Sequence, residues 1–308
     1  MALASTKEML LRAQRDGYAI GAFNINDMEI LQGVIRGCVQ TQAPVIVAVT
    51  EGAIRYAGLE YLVAMVRVAA EEVDLPVALH LDHGRDLGLI RRCIESGFSS
   101  VMIDASHLPY EENVRITKQV VEMAHPAGVA VEAELGRLKG VEDMVSVRER
   151  EATLTDPEEA ERFVEETEVD FLAPAVGTSH GAFKFRGKPK LDIERLEEIR
   201  SRVGVPLVLH GASSVPRWLL DLLNTYGGDL KEAKGVPPDQ LREAIAAGVA
   251  KVNTDTDLRL AFTAAVRKVL HESPDVFDPR KILGPARDLI AQVVAEKNRL
   301  FGSAGRAG

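Results

Sequence analysis

Cysteine is scarce in this chain of 308 residues: Cys38 and Cys93 are the only two. They form no CxxC pair and no disulfide framework, which fits a reducing compartment. Both fall in amphipathic helical stretches, where a small buried side chain is the ordinary role. Basic clusters are also missing. Lys+Arg 37 against Asp+Glu 46 gives a net charge of −9, which argues against nucleic acid or an anionic membrane as partner. No apolar run is long enough to span a bilayer. The opening MALASTKEMLLRAQ lacks the apolar core of a signal peptide, so a cytoplasmic location is expected. No GxGxxG follows the first strand, which weakens the case for a doubly wound dinucleotide-binding sheet.

What is present is alternation. Leu31, Val34, Ile35, Cys38 and Val39 recur at helical spacing, as do Leu59, Leu62, Val63 and Val66. Leu258, Ala261, Phe262, Ala265, Val266 and Val269 do the same near the end. Each set lines one face of a helix. Eight short apolar strands lie among such helices, at Tyr18–Asn24, Val45–Thr50, Val77–Asp82, Ser99–Asp104, Val129–Leu135, Asp170–Val176, Pro206–His210 and Lys251–Thr254. Near-continuous apolar runs predict parallel strands buried on both faces. Eight strand–helix units predict an α/β fold of the (β/α)8 TIM-barrel type in a single domain over 1–308, with an open doubly wound sheet as the alternative. Residues 279–301 read as an extra C-terminal helix. The longest irregular stretches are Gly136–Thr155 and Thr225–Asp239, and long loops in compact domains often serve as lids or binding loops.

Polar chemistry collects where the strands run out, which in a barrel of this kind is the catalytic rim. The strand ends carry Asn24, Thr50, Asp82-His83, Asp104, Glu132 with Glu134, the run GTSHGAFK with His180, His210, and Asn253 with Asp255. Three histidines from three strand ends suggest a metal. Neutral imidazole suits Zn²⁺, and three protein ligands leave a position open for substrate. HGA occurs twice, at His180–Ala182 and His210–Ala212. Glycine lets backbone N–H groups approach a ligand closely, and N–H groups opening a helix bind anions. GASS and NTDT fall on the seventh and eighth strands, where barrels often hold phosphate.

The blocks GAFNINDME, LHLDHG, SSVMIDAS, VEAELG, APAVGTSHGAFKF, VLHGASS, GGDLKEAKGVP and KVNTDTDLRLAF resemble, in order and over nearly the whole chain, those of class II metal-dependent fructose-bisphosphate aldolases. The short VNTDTDLR form resembles the class IIB subgroup, and tagatose-bisphosphate aldolases are similar throughout. The resemblance implies that His83, His180 and His210 hold the catalytic zinc, with Asp104 and Glu134 at an alternative metal position. It implies that Asp82 handles the C4 hydroxyl proton, that Glu142 moves the dihydroxyacetone phosphate proton, and that Asn253 hydrogen-bonds the enediolate. Gly181, Gly211, Ala212 and Ser213, with Asn253, Thr254, Asp255 and Thr256, are then binders of the dihydroxyacetone phosphate half. Arg259 would meet the far phosphate, in some relatives across a subunit boundary, and Thr50 stands where many relatives carry serine. Zn²⁺ or Co²⁺, a monovalent cation near Gly181, and a homodimer or homotetramer follow from the same resemblance.

Other readings compete. Lys184 and Lys251 raise a Schiff-base aldolase, which would survive a chelator and be trapped by borohydride. A barrel metallohydrolase often carries His-x-His on its first strand, where this chain reads AFNIN. A sugar-phosphate sensor would not need Asp82 and Glu142 together. His80 reads as a hydrogen-bonded core histidine, His107 and His125 as loop or helix-end residues, and His271 as a last-turn residue favoured by the helix dipole. For Asp104 a helix N-cap is the competing role. Glu132 shares a strand face with Glu134 and has no assigned role.

Overall fold

The computed structural model describes residues 3–136, 154–178, 190–230 and 233–308 in full, and the backbone of 139–142, 145–147 and 179–180. Its centre is a closed barrel of eight parallel strands. These are β1 (Ile20–Asn24), β2 (Val45–Thr50), β3 (Val77–Gly84), β4 (Ser100–Ile103), β5 (Ala130–Leu135), β6 (Phe171–Pro174), β7 (Leu207–Leu209) and β8 (Val249–Thr254). They pair in chain order, and β8 closes on β1 with Ile20 opposite Lys251. The (β/α)8 architecture and the C-terminal helix Pro279–Phe301 are thus as expected.

The two-residue period of a strand sorts side chains into two environments. Val45, Val47 and Val49 of β2, Val77, Leu79 and Leu81 of β3, and Val131, Ala133 and Leu135 of β5 join the large apolar shell beneath the helices. Their alternates point inward. Ile20, Ala22, Ile46, Ala78, Phe171, Val208 and Ala250 form a second cluster with Met9, Leu10 and Ala13 of the helix Thr6–Asp16. That helix is the floor of the barrel. Ser5 caps its start by accepting from the Glu8 N–H, and Gly17, at φ 71, ends it in the left-handed conformation. Fully burying a side chain such as Leu10 contributes roughly 1.5–3 kcal/mol.

The C-terminal helix lies against the helix Met28–Thr41 at close range, because Gly33 and Gly37 leave room. A Cβ on Gly37 would sit 2.7 Å from the Ala291 carbonyl and 2.7 Å from Val294 Cβ. Gly37→Ala should therefore destabilise by about 1–3 kcal/mol, the cost of overpacking. Urea unfolding of the variant checks this, and an unchanged midpoint would refute the packing argument.

The stretch read as irregular between Gly136 and Thr155 contains two strands, Lys139–Glu142 and Val145–Val147, paired antiparallel. Val141, Val145 and Val147 supply the β-branched side chains such strands favour. The first strand also pairs in parallel with Ser179–His180, placing Gly140 opposite His180.

Candidate active site

Inward alternation ends in a polar residue on seven of the strands or just past their ends. Ala22 is followed two residues on by Asn24, Ala48 by Thr50, His80 by Asp82, Met102 by Asp104, Glu132 by Glu134, Val208 by His210, and Lys251 by Asn253. Parallel strands bring these positions to one mouth. There the ligating atoms of Asp82, His83 and His210 lie within 4.8 Å of one another, as do those of His83, Asp104 and Glu134.

His83 belongs to both groups although it follows Asp82 directly, and a regular strand would send the two to opposite faces. The pairing of β3 with β4 shifts register between Leu81 and Gly84, and His83 has φ 50. This bulge turns the imidazole into the mouth beside its neighbour. The left-handed conformation costs a non-glycine residue about 1–2 kcal/mol, strain of the kind that accumulates at functional sites.

Asp82 is buried and takes two side-chain amides: Asn24 Nδ2 donates to Oδ2 at 2.8 Å and Asn253 Nδ2 to Oδ1 at 2.9 Å. Burial opposes its ionisation, but the His83 and Lys251 charges and the Asn24 amide outweigh that and hold the carboxyl below its usual range. Asp104 accepts from Arg85 at 2.8 Å and lies 3.2 Å from His83 Nδ1. The Ser106 hydroxyl sits 2.8 Å from Asp104 Oδ1 and 3.2 Å from Glu134 Oε1. Asp104 caps no helix, since the next one, Tyr110–Ala124, is preceded by Pro109. Glu134 is pushed up to about 8 by burial and by the Asp104 charge. For His83 burial disfavours the cation, yet Asp82, Asp104 and Glu134 prevail and push it up to about 10. The mouth is therefore a region that draws positive charge.

His210 is held differently. Its Nε2 lies 2.7 Å from Glu132 Oε1, and Glu132 Oε2 accepts from Lys251 Nζ at 2.7 Å. Lys251 also reaches His80 Nε2 at 3.2 Å. His80 Nδ1 is 2.8 Å from Ser100 Oγ, which donates to Thr6 Oγ1 at 2.9 Å. An ammonium can only donate, so His80 Nε2 accepts and its Nδ1 carries the proton. At the other end the Glu132 carboxylate accepts from His210 Nε2–H. That tautomer leaves the Nδ1 lone pair facing Asn253 Nδ2 at 3.3 Å and Asp82 Oδ1 at 3.9 Å. Burial and the His83 charge keep His210 well below the usual histidine range, hence neutral. A neutral imidazole with one nitrogen fixed by a carboxylate is the common form of a metal ligand.

Among the described residues, the buried oxygens Glu134 Oε2, Asn24 Oδ1 and Asn253 Oδ1 of this mouth have no hydrogen-bond partner. Buried acceptors left without donors are costly, and a cation beside them would repay that. The donor set of imidazoles and carboxylates around one centre fits a divalent transition metal.

The remaining sequence candidates divide. Thr50 Oγ1 accepts from the Ala53 N–H and so caps the helix Glu51–Ala57. Gly211 (φ 60), Ala212 and Ser213 form a buried turn after β7, and Asn253 and Thr254 end β8 beside it. Thr256 opens the helix Thr256–Glu272, preceded by Asp255. Both Asp255 oxygens meet Arg259, at 2.8 Å each. Of His180 and Glu142 the backbone alone is described, and Gly181 and Lys184 lie outside the described residues. Cys38 and Cys93 are buried and unbridged. His125 sits at a helix end against Asp170 at 2.9 Å, and His271 in the last turn of its helix.

The sequence leaves Glu132 and Arg85 without a role and offers Lys251 only as a Schiff-base alternative, not as the partner of Glu132 and His80. Glu132 and Lys251 carried a signal, since each sits two residues before an inward polar position on its own strand. Arg85 follows the bulge, and no periodicity marks it.

No helix among the described residues is long and apolar enough to cross a membrane. The family model described as fructose-bisphosphate aldolase class-II matches residues 4–306. A fructose-bisphosphate aldolase of Helicobacter pylori strain J99 is 51% identical over 308 residues, covering 99% of this chain and 99% of its own. One from Thermus caldophilus is 51% identical over 305 residues, covering 99% of this chain and 100% of its own. The crystal structure of the YdjI aldolase from Escherichia coli K12 superposes with a TM-score of 0.82 at 33% identity, covering 99% of this chain and 100% of that one. With a barrel mouth of this make-up and matches that run end to end, the chain belongs to the class II fructose-bisphosphate aldolases, which are carbon–carbon lyases.

Proposed function

We propose that this chain reversibly cleaves fructose 1,6-bisphosphate to dihydroxyacetone phosphate and glyceraldehyde 3-phosphate, in glycolysis and gluconeogenesis. It would work in the cytoplasm as a homodimer or homotetramer. The observation that carries the reading is the meeting of Asp82, His83 and His210 at one barrel mouth in a chain of this family. His83, His180 and His210 would hold the divalent ion, Zn²⁺ or Co²⁺, and Asp104 and Glu134 offer it a neighbouring position through His83. When bound, the ion supplies Lewis-acid polarisation of the substrate carbonyl and shares the charge left on the dihydroxyacetone phosphate fragment.

The protein's own groups do the rest. Asp82, ionised and gripped by two amides, takes the C4 hydroxyl proton as the C3–C4 bond breaks. The C4 oxygen becomes the aldehyde carbonyl, and the bonding pair stays with C3. Glu142 then delivers a proton to C3, and its strand is joined to that of His180, so the proton donor and the third imidazole come from one small sheet. Asn253 hydrogen-bonds the fragment's enediolate oxygen with an amide that also touches Asp82 and His210. Gly181, Gly211–Ser213 and Thr254–Thr256 would seat the near phosphate, Arg259 the far one, and Thr50 would donate its hydroxyl proton to substrate while its oxygen caps the following helix.

A coupled cleavage assay with fructose and tagatose 1,6-bisphosphates, each with and without EDTA, tests this. Fructose bisphosphate should turn over faster, and the chelator should stop both reactions. Faster tagatose cleavage would reassign the substrate, since the two sugars differ only in configuration at C4.

A further inference from the structure

One buried ion pair has no part in the reaction as proposed. Asp257, in the first turn of the helix Thr256–Glu272, is fully buried, and Lys297, late in the C-terminal helix, is nearly so. Their charged groups are in contact. Burying a charge pair is expensive, and good geometry with further hydrogen bonds is what offsets the desolvation. Here both partners spend their remaining valences on one short segment. Asp257 Oδ2 accepts from the Ser214 N–H at 3.1 Å and Oδ1 from the Val215 N–H at 2.8 Å. Lys297 Nζ donates to the Ser214 hydroxyl.

That segment is the end of the turn after β7, and it is strained. Val215 has φ 48, a conformation in which a β-branched residue is rarely found. Gly211, at its start, has φ 60. On the far side the Val236 N–H donates to the Ser213 carbonyl at 3.1 Å. Gly235 presses so close that a Cβ would stand 2.2 Å from the Ser213 oxygen. The turn is pinned at both flanks, and the Asp257–Lys297 side supplies a buried, charged grip on it.

We infer that Asp257 and Lys297 are positioning residues: they hold the Gly211–Val215 turn in the shape that receives the substrate's phosphate. This rests on the reading of that turn as a phosphate seat. It also gives the C-terminal helix a task beyond covering the barrel, because it carries the cation of the clamp. Neither residue touches substrate, so their loss should weaken binding and spare the chemical step.

Removing Lys297 alone would strand a buried carboxylate and risk unfolding, so the test uses the neutral double variant Asp257→Asn/Lys297→Met. Steady-state cleavage of fructose 1,6-bisphosphate and zinc titration of the stripped protein are the readouts. KM should rise roughly tenfold, the scale of one or two lost hydrogen bonds, with kcat and zinc affinity close to those of the parent. A folded double variant with unchanged KM, or with kcat reduced and KM kept, overturns the inference. If that variant does not fold, Ser214→Ala decides: it removes only the Lys297–hydroxyl contact at a half-buried position, and KM should still rise while zinc affinity holds. An unchanged KM there overturns the inference as well. Absence of cleavage by the parent would instead sink the phosphate-seat reading itself, so the two failures are separable.

Discussion

Asp82→Ala should lower kcat for fructose 1,6-bisphosphate cleavage by roughly 10²–10⁴-fold, the usual worth of a general base, and should leave the divalent ion bound. The physical case starts from protonation. A base must be ionised at working pH, and a carboxylate buried to this degree ordinarily would not be. Asp82 is kept ionised by the charges of His83 and Lys251 and by two amide donors, from Asn24 on β1 and Asn253 on β8. The same amides fix the carboxylate's plane from both sides. Asn24→Ala should therefore reproduce part of the loss, and its pH–rate profile should move its acidic limb upward, because an amide donor that favours the charged form has been removed. Metal content measured on the purified Asp82→Ala protein separates the roles. Activity lost with metal retained marks Asp82 as the base; activity and metal lost together make it a ligand, an option open to it because its oxygen lies within 4.8 Å of the His83 and His210 nitrogens. Normal turnover would end the assignment.

Much of this site can be read from strand parity alone. Once β5 is placed, Glu132 and Glu134 must face inward because Val131, Ala133 and Leu135 carry the apolar shell. The same argument places Asp82, Asp104 and His210 at the mouth. Parity fails at His83, since it depends on a bulge, and left-handed histidine has no local sequence signature of the kind glycine provides. Parity also cannot choose partners across the barrel. That Lys251 on β8 would meet Glu132 on β5 and His80 on β3 follows only when closure fixes the strand order and stagger. The paired strands Lys139–Glu142 and Val145–Val147 were hidden for another reason. These charged, short segments carry too little apolar alternation to outweigh their loop-like composition.

The second large effect comes from stripping the metal. Chelation should reduce cleavage by on the order of 10³-fold, the equivalent of the several kcal/mol a Lewis acid contributes to the developing negative charge. Zn²⁺ or Co²⁺ added back should restore it. The barrel itself should survive, because its two apolar clusters and the Thr6–Ser100–His80–Lys251–Glu132–His210 chain are held by contacts among the protein's own side chains. Circular dichroism of the stripped protein should accordingly match that of the loaded one. Its melting temperature should fall, since an ion that binds only the folded state stabilises it by mass action. The competing Schiff-base chemistry predicts the reverse: full activity in chelator and irreversible trapping by borohydride. Within the described residues the structure weighs against it at Lys251, which is wholly buried and committed to Glu132 at 2.7 Å. A nucleophilic lysine must instead be neutral and reachable. Retention of full rate by metal-free protein would remove every role assigned to His83, His180 and His210 and leave Lys184 as the residue to pursue.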